Sequence, residues 1–123
     1  MKNATLLVAV VDDDESVRES LPALLNEFGF GSKTFATAED FLQSGVAEEA
    51  QCLILDIAMP GMSGPDLRRE LVRRGYSIPI IFISAHAEFA SQLDFREGTV
   101  DCLTKPFSDT ALLEALKRRL KLK

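Results

Sequence analysis

Short apolar runs alternate with amphipathic stretches along this sequence, and the alternation repeats five times. The runs at residues 6–11 and 78–83 are continuous and rich in β-branched residues, which is typical of strands buried on both faces of a sheet. Weaker or shorter apolar runs occupy residues 31–35, 52–55 and 100–103. Strands of this kind form parallel sheets that helices cover on both sides, so the alternation indicates an α/β fold.

The amphipathic stretches carry apolar residues at helical spacing. In the clearest example, residues 15–28, Asp14 precedes the helix as a cap and Gly29 follows it as a terminator. Pro22 lies within this helix and removes the backbone hydrogen bond to the carbonyl of Arg18, which predicts a kink. The other four predicted helices begin at Thr37 or Ala38, begin at Pro65, cover residues 87–97, and follow Ser108.

The length of the chain limits how these elements can be arranged. It has 123 residues, of which 46% are hydrophobic and 27% are charged, as in an ordinary single globular domain. Right-handed crossovers between parallel strands leave few topologies for five strand–helix units. We predict a flavodoxin-like, doubly wound sheet of five parallel strands in the order 2-1-3-4-5, with five helices, as one domain over residues 1–123.

Charge and cysteine content exclude several classes of function. The chain has 14 basic and 19 acidic residues and a net charge of −5, which is unsuited to binding nucleic acid through bulk electrostatics. No apolar run approaches the about 20 residues that cross a bilayer. Cys52 and Cys102 lack the spacing of metal ligands and lie in apolar runs, which predicts two reduced, buried thiols. We therefore expect a cytoplasmic domain with no membrane partner and no direct nucleic-acid partner.

Polar residues that could take part in binding or catalysis end several of the predicted strands. Asp12 and Asp13 end the first strand, Asp56 the third and Ser84 the fourth, and Lys105 follows the fifth. In a doubly wound sheet, ligands bind beyond the carboxyl ends of the strands, near the point where the strand order reverses. Strands one and three are neighbours in the predicted order, so the three carboxylates should converge.

Three carboxylates in one place repel each other unless something neutralises them. Magnesium, Mg2+, prefers oxygen ligands and is typically held by one or two carboxylates together with phosphate. Lys105 would supply a point positive charge for phosphate oxygens, and Ser84 a hydrogen-bond donor. The cluster therefore predicts a site for Mg2+ and a phosphoryl group.

Four motifs in this order complete the argument: Val-Val-Asp-Asp-Asp-Glu at 10–15, Leu-Asp-Ile-Ala-Met-Pro-Gly-Met-Ser-Gly at 55–64, Ile-Ser-Ala-His at 83–86 and Leu-Thr-Lys-Pro-Phe at 103–107. Together they span nearly the whole chain. The sequence resembles the receiver domain of two-component response regulators, and its residues at 26–30, 35–42 and 104–107 are similar to those of the FixJ-like branch.

The resemblance implies a role for each site residue. Asp56 would accept the phosphoryl group and also ligate Mg2+. Asp13 would ligate the metal directly, Asp12 mainly through water, and Ala58 through its backbone carbonyl. Ser84 would be the switch hydroxyl that moves onto the phosphoryl oxygen.

Lys105 would form an ion pair with phosphorylated Asp56, and the Lys105–Pro106 peptide bond would be cis. The family also implies partners: a sensor histidine kinase or phosphotransfer protein as donor, and an output domain or downstream protein as recipient. A homodimer through the fourth helix, fifth strand and fifth helix is a further expectation. Such a domain would be a signalling switch that catalyses only its own phosphoryl transfer and dephosphorylation.

Two features depart from the family pattern. Cys102 occupies the position, three residues before the lysine, where receivers usually carry the aromatic residue that moves with the switch hydroxyl. The switch would then be weak, or relayed through the loop and helix after Ser84. The segment from Ser84 to Lys105 is also one residue shorter than the family norm, which predicts a shortened or shifted fourth helix.

Other interpretations of the same residues are open. A pseudo-receiver that binds a partner without phosphate is compatible with Cys102. A haloacid-dehalogenase-like phosphatase is disfavoured, because Ile57 and Ala58 follow Asp56 where those enzymes carry Asp-x-Asp. The basic residues of 117–123 suit a solvated helix end or a linker better than a nucleic-acid site.

Overall fold

A computed structural model describes residues 6–85 and 100–122 and contains one sheet of five parallel strands. The strands are β1 (Leu7–Val11), β2 (Gly31–Phe35), β3 (Cys52–Asp56), β4 (Ile80–Ser84) and β5 (Val100–Thr104). They are ordered β2-β1-β3-β4-β5, which confirms the predicted topology. The reversal of strand order lies between β1 and β3, where Val11 is level with Leu55.

Four α-helices lie within the described residues, together with a short 3-10 helix at Val46–Glu48. The helices are α1 (Glu15–Glu27), α2 (Ala38–Ser44), α3 (Gly64–Arg73) and α4 (Asp109–Leu120). Four of the five predicted helices are thus present, and the remaining predicted helix, 87–97, lies outside the described residues. None of the described helices is long and apolar enough to cross a membrane.

Three strands end one residue later than the sequence suggested, and this brings polar residues into the sheet. Asp56 pairs in register with Ile83, and Ser84 with Thr104. At the other end, β4 begins at Ile80 instead of residue 78, since Pro79 has no amide hydrogen for the ladder. The polar ends of β3 and β4 are therefore held by regular strand pairing.

Side chains cap the helices as their sequences indicate. Asp14 accepts from the backbone N–H of Ser16 at the start of α1, and Ser108 accepts from that of Ala111 at the start of α4. At α3, Ser63 and Asp66 form a reciprocal capping box. α1 runs through Pro22 without interruption, so the proline does not divide the helix.

Two apolar clusters cover the two faces of the sheet, as a doubly wound fold requires. One contains α2 and α3 and the other α1 and α4. Large buried side chains of the first cluster are Phe41, Leu67, Leu71 and Phe82. Those of the second include Leu25, Ile54, Ile81, Leu112 and Leu116. Cys52 is fully buried, but Cys102 is only half-buried, so the prediction of two buried thiols is correct for Cys52 alone.

The basic end of α4 is not simply solvated, contrary to the sequence interpretation. Arg118 Nε lies 3.0 Å from Asp101 Oδ2 of β5, and Arg119 Nε lies 3.3 Å from the same oxygen. The acidic partner comes from a distant strand, which the local charge pattern could not reveal. The pairs orient the end of α4 against β5, although the pair of the half-exposed Arg118 contributes little to stability.

Candidate functional site

The carboxyl ends of β1 and β3 bring three carboxylates together. Asp12 and Asp13 follow β1, and Asp56 ends β3. One carboxylate oxygen from each residue lies within 4.8 Å of the others. Asp12 and Asp56 are buried, whereas Asp13 is exposed. The strand register explains this convergence, because Val11 and Leu55 are paired and the next residues along both chains emerge side by side.

Lys105 faces this cluster from the end of β5. Its Nζ lies 2.9 Å from Asp12 Oδ2 and 4.0 Å from Asp56 Oδ1. Its backbone N–H donates to the carbonyl of Ser84 at 2.7 Å, which fixes the start of the following loop against β4. Burial alone would lower the pKa of the ammonium, but the carboxylates of Asp12 and Asp56 outweigh it and hold that pKa above its ordinary value. Lys105 is therefore a permanent positive charge in the site.

Asp56 lies where ionisation is costly. Burial, and after it the charge of Asp12, raise the pKa of its carboxyl to about 7, and the charge of Lys105 opposes both. One ammonium is thus insufficient to neutralise the cluster. A second cation, or a proton, is needed for the three carboxylates to coexist near neutral pH.

Asp12 gives the test of whether a hard cation fits. Its Oδ1 accepts from the backbone N–H of Asp14 at 2.9 Å. Its Oδ2 is buried and lies 2.9 Å from the Lys105 ammonium, which is its counter-charge. Three carboxylates with one ammonium among them leave an excess of negative charge, which suits the all-oxygen ligation of Mg2+. The residues present therefore fit the predicted metal.

The loop after Asp56 passes unusually close to the start of α3. Gly64 N–H donates to the carbonyl of Ile57 at 2.9 Å. A Cβ at Gly64 would lie 2.4 Å from the carbonyl oxygen of Asp56, which no side chain can tolerate. Only glycine permits this approach. The sequence analysis included Gly64 only as part of the motif at 55–64 and missed that it sets the position of the Asp56 backbone. Ala58, the predicted carbonyl ligand, lies in this loop and is exposed.

Ser84 and Cys102 lie on neighbouring strands and differ in burial. Ser84 is buried at the end of β4, next to the residue that pairs with Asp56. On β5, Cys102 pairs in register with Phe82 of β4, and it packs against the apolar cluster that contains α2 and α3. Burial raises the pKa of its thiol, which keeps it protonated. The structure thus places a small thiol beside Phe82, where an aromatic ring is usual in the family that the sequence resembles.

Arg18 is a residue near the site that the sequence analysis did not select. Its Nη1 donates to the carbonyl oxygen of Asp12 at 2.9 Å, reaching back from the first turns of α1. The signal available in the sequence was a basic residue four positions after the helix cap in an otherwise acidic segment.

A model of the response regulator receiver domain family matches residues 8–117. The chain belongs to this family, whose members are phosphoryl-accepting signalling switches of two-component systems. Its relatives include the response regulator protein TmoT of Ectopseudomonas mendocina, 40% identical over 99% of this chain and 56% of that protein. The transcriptional regulatory protein FixJ of Rhizobium meliloti is 38% identical over 90% of this chain and 55% of FixJ.

A solved structure of the response regulator StyR is also similar, with a TM-score of 0.86 and 42% identity over 96% of this chain and 60% of StyR. The resemblance to receivers, including the FixJ-like branch, is therefore confirmed. The chain spans about half the length of the curated relatives described above. The Lys105–Pro106 bond is cis, as the resemblance implies.

Proposed function

We propose that Asp56 accepts a phosphoryl group from a phosphohistidine on a sensor histidine kinase or phosphotransfer protein. The observation that carries this proposal is the approach of the carboxylates of Asp12, Asp13 and Asp56 to within 4.8 Å, with the Lys105 ammonium 4.0 Å from Asp56. A carboxylate nucleophile needs positioning and charge neutralisation more than covalent assistance in phosphoryl transfer. The fixed backbone around Asp56 supplies the positioning, and the surrounding cationic groups supply the charge neutralisation.

In the transfer, a carboxylate oxygen of Asp56 attacks phosphorus, and the bond between phosphorus and the donor imidazole nitrogen breaks with its electron pair going to that nitrogen. The product is an acyl phosphate. Asp12, Asp13, Asp56 and the carbonyl of Ala58 would hold Mg2+, with Asp12 acting mainly through water. When bound, Mg2+ would neutralise charge on the carboxylates and the phosphoryl oxygens.

Lys105 and Ser84 act on the product. The Lys105 ammonium is already 4.0 Å from Asp56 Oδ1, so a phosphoryl group on that residue comes within range of an ion pair. Ser84 is buried at the adjacent strand end, and its hydroxyl would donate to a phosphoryl oxygen. Movement of this hydroxyl carries the change of state to the end of β4.

The change of state would reach an output domain or a downstream protein. The face formed by the predicted helix 87–97, β5 and α4 is the proposed homodimer surface, and both departures from the family pattern fall on it. Cys102 would make the switch weak, or leave its relay to the segment after Ser84. We assign the chain no reaction beyond its own phosphorylation and dephosphorylation, and we place it in the cytoplasm, where kinase donors and reduced thiols occur.

Intact-mass measurement after incubation with acetyl phosphate and Mg2+ tests the assignment. We expect one added phosphoryl group on the wild type and on Asp40→Asn, which removes an exposed carboxylate on α2, and none on Asp56→Asn. Titration with beryllofluoride distinguishes rapid hydrolysis from true inability to accept phosphate. A folded protein that neither gains mass nor binds beryllofluoride would instead be a pseudo-receiver.

A further inference from the structure

We propose that Arg18 is a positioning residue for metal binding: it holds the backbone between Asp12 and Asp13 in the orientation that their carboxylates need to share one Mg2+ ion. The inference rests on the proposed function, because it concerns the same site. It adds a residue on α1 that does not itself face the cation.

The contact that supports this role is the hydrogen bond from Arg18 Nη1 to the carbonyl oxygen of Asp12, 2.9 Å long and partly buried. That carbonyl belongs to the peptide group that joins Asp12 to Asp13. On the other side of Asp12, its backbone N–H donates to the carbonyl of Phe35 at 3.0 Å. The peptide groups flanking Asp12 are therefore held from opposite sides, by β2 and by α1.

The start of α1 is in turn tied to this turn of the chain. Asp14 N–H donates to Asp12 Oδ1, and Asp14 Oδ1 accepts from both the N–H and the Oγ of Ser16. Arg18 N–H donates to the carbonyl of Asp14 at 3.2 Å. Arg18 thus closes a short hydrogen-bonded path that fixes the helix, the turn and the first two carboxylates together.

The charge of Arg18 argues for a positioning role rather than an electrostatic one. A guanidinium beside a cation site repels a divalent metal, so its charge alone weakens Mg2+ binding. Its hydrogen bond to the Asp12 carbonyl has the opposite effect, because it keeps both carboxylates aimed at one point. Removing Arg18 therefore separates the two contributions by sign.

Isothermal titration of Mg2+ into wild type, Arg18→Met and Arg18→Lys provides the test. Arg69→Met is the matched control, because Arg69 is an exposed arginine of α3 that pairs with Asp66, away from the site. Loss of outer-shell partners weakens metal sites, and we expect the Kd for Mg2+ to rise about tenfold in Arg18→Met. The rise should be similar at low and high salt, since a geometric effect is not screened. Arg18→Lys keeps the charge and an N–H donor, so its Kd should lie between those of wild type and Arg18→Met.

Thermal unfolding in EDTA separates this role from a general structural one. A lower Tm for Arg18→Met with an unchanged Kd would show that Arg18 only stabilises the fold, and an unchanged or lower Kd overturns the inference. If Arg18→Met does not fold, Arg18→Lys decides: a raised Kd supports the inference and a wild-type Kd overturns it. A wild-type protein that does not bind Mg2+ refutes the proposed metal site itself, so the two failures are distinguishable.

Discussion

Asp56→Asn is expected to stabilise the metal-free protein, although Asp56 is the proposed phosphoacceptor. The wild-type carboxyl is buried beside Asp12, and burial and that charge together raise its pKa to about 7 from an ordinary 3.8. The folded state therefore disfavours the ionised form that prevails in the unfolded chain. Asparagine has a similar shape and no charge, so the variant avoids this cost.

The size of the effect follows from the pKa. A rise from 3.8 to about 7 corresponds to a destabilisation of about 4 kcal/mol once the pH is at or above 7. This figure is a ceiling, because the exposed Asp13 side of the cluster lets water in and the Asn variant loses the attraction of Lys105. We expect Asp56→Asn to gain about 2 kcal/mol in unfolding free energy at pH 7.5, or about 8 °C in Tm.

The pH dependence has a definite sign. Well below pH 3.8 the carboxyl is protonated in both states, and wild type and variant should be equally stable. As the pH rises from there toward 7, the unfolded chain ionises first and the wild type loses stability relative to the variant. The difference should reach its full size above pH 7 and stay constant.

Urea denaturation in EDTA at several pH values measures this difference directly, with Asp40→Asn as the control that removes an exposed carboxylate. The control should differ from wild type by under about 0.5 kcal/mol at every pH. Excess Mg2+ should bind the folded wild type preferentially and so shrink the advantage of Asp56→Asn. An Asp56→Asn protein no more stable than wild type at pH 7.5 in EDTA would refute the electrostatic reasoning.

Three further predictions concern other residues of the site. Gly64→Ala should lower the free energy of unfolding by about 3 kcal/mol in urea denaturation and slow phosphorylation, because its Cβ would press on the Asp56 carbonyl. The control Gly45→Ala, at an open position with positive φ, should lower it by about 1 kcal/mol and leave phosphorylation unchanged. Lys105→Met should lower stability in EDTA at pH 7.5 by about 3 kcal/mol, because it leaves the buried Asp12 carboxylate without a counter-charge, and equal stability would contradict this. Cys102→Phe should enlarge the protection from hydrogen exchange that beryllofluoride induces in β5 and α4, and an unaltered response would show that the missing ring does not limit the switch.

Much of the architecture could be predicted from the sequence, because it depends on patterns within a few residues. Continuous apolar runs indicated strands buried on both faces, and Asp14 and Ser108 indicated helix starts through the hydrogen bonds that their side chains make nearby. The alternation of strands and helices then left few topologies, and the observed order is the predicted one. The same order implied that residues ending β1 and β3 would meet.

Tertiary structure decided the features that depend on residues distant in sequence or on sub-ångström packing. Asp101 of β5 pairs with Arg118 and Arg119 of α4 only because the sheet and the helix are packed together. The need for glycine at position 64 arises from the closeness of a backbone carbonyl, and no local pattern encodes that distance. The hydrogen bond of Arg18 to Asp12 likewise depends on the angle at which α1 leaves the sheet. Local periodicity therefore determined which residues reach the site, and packing determined how each carboxylate and its supporting groups are held there.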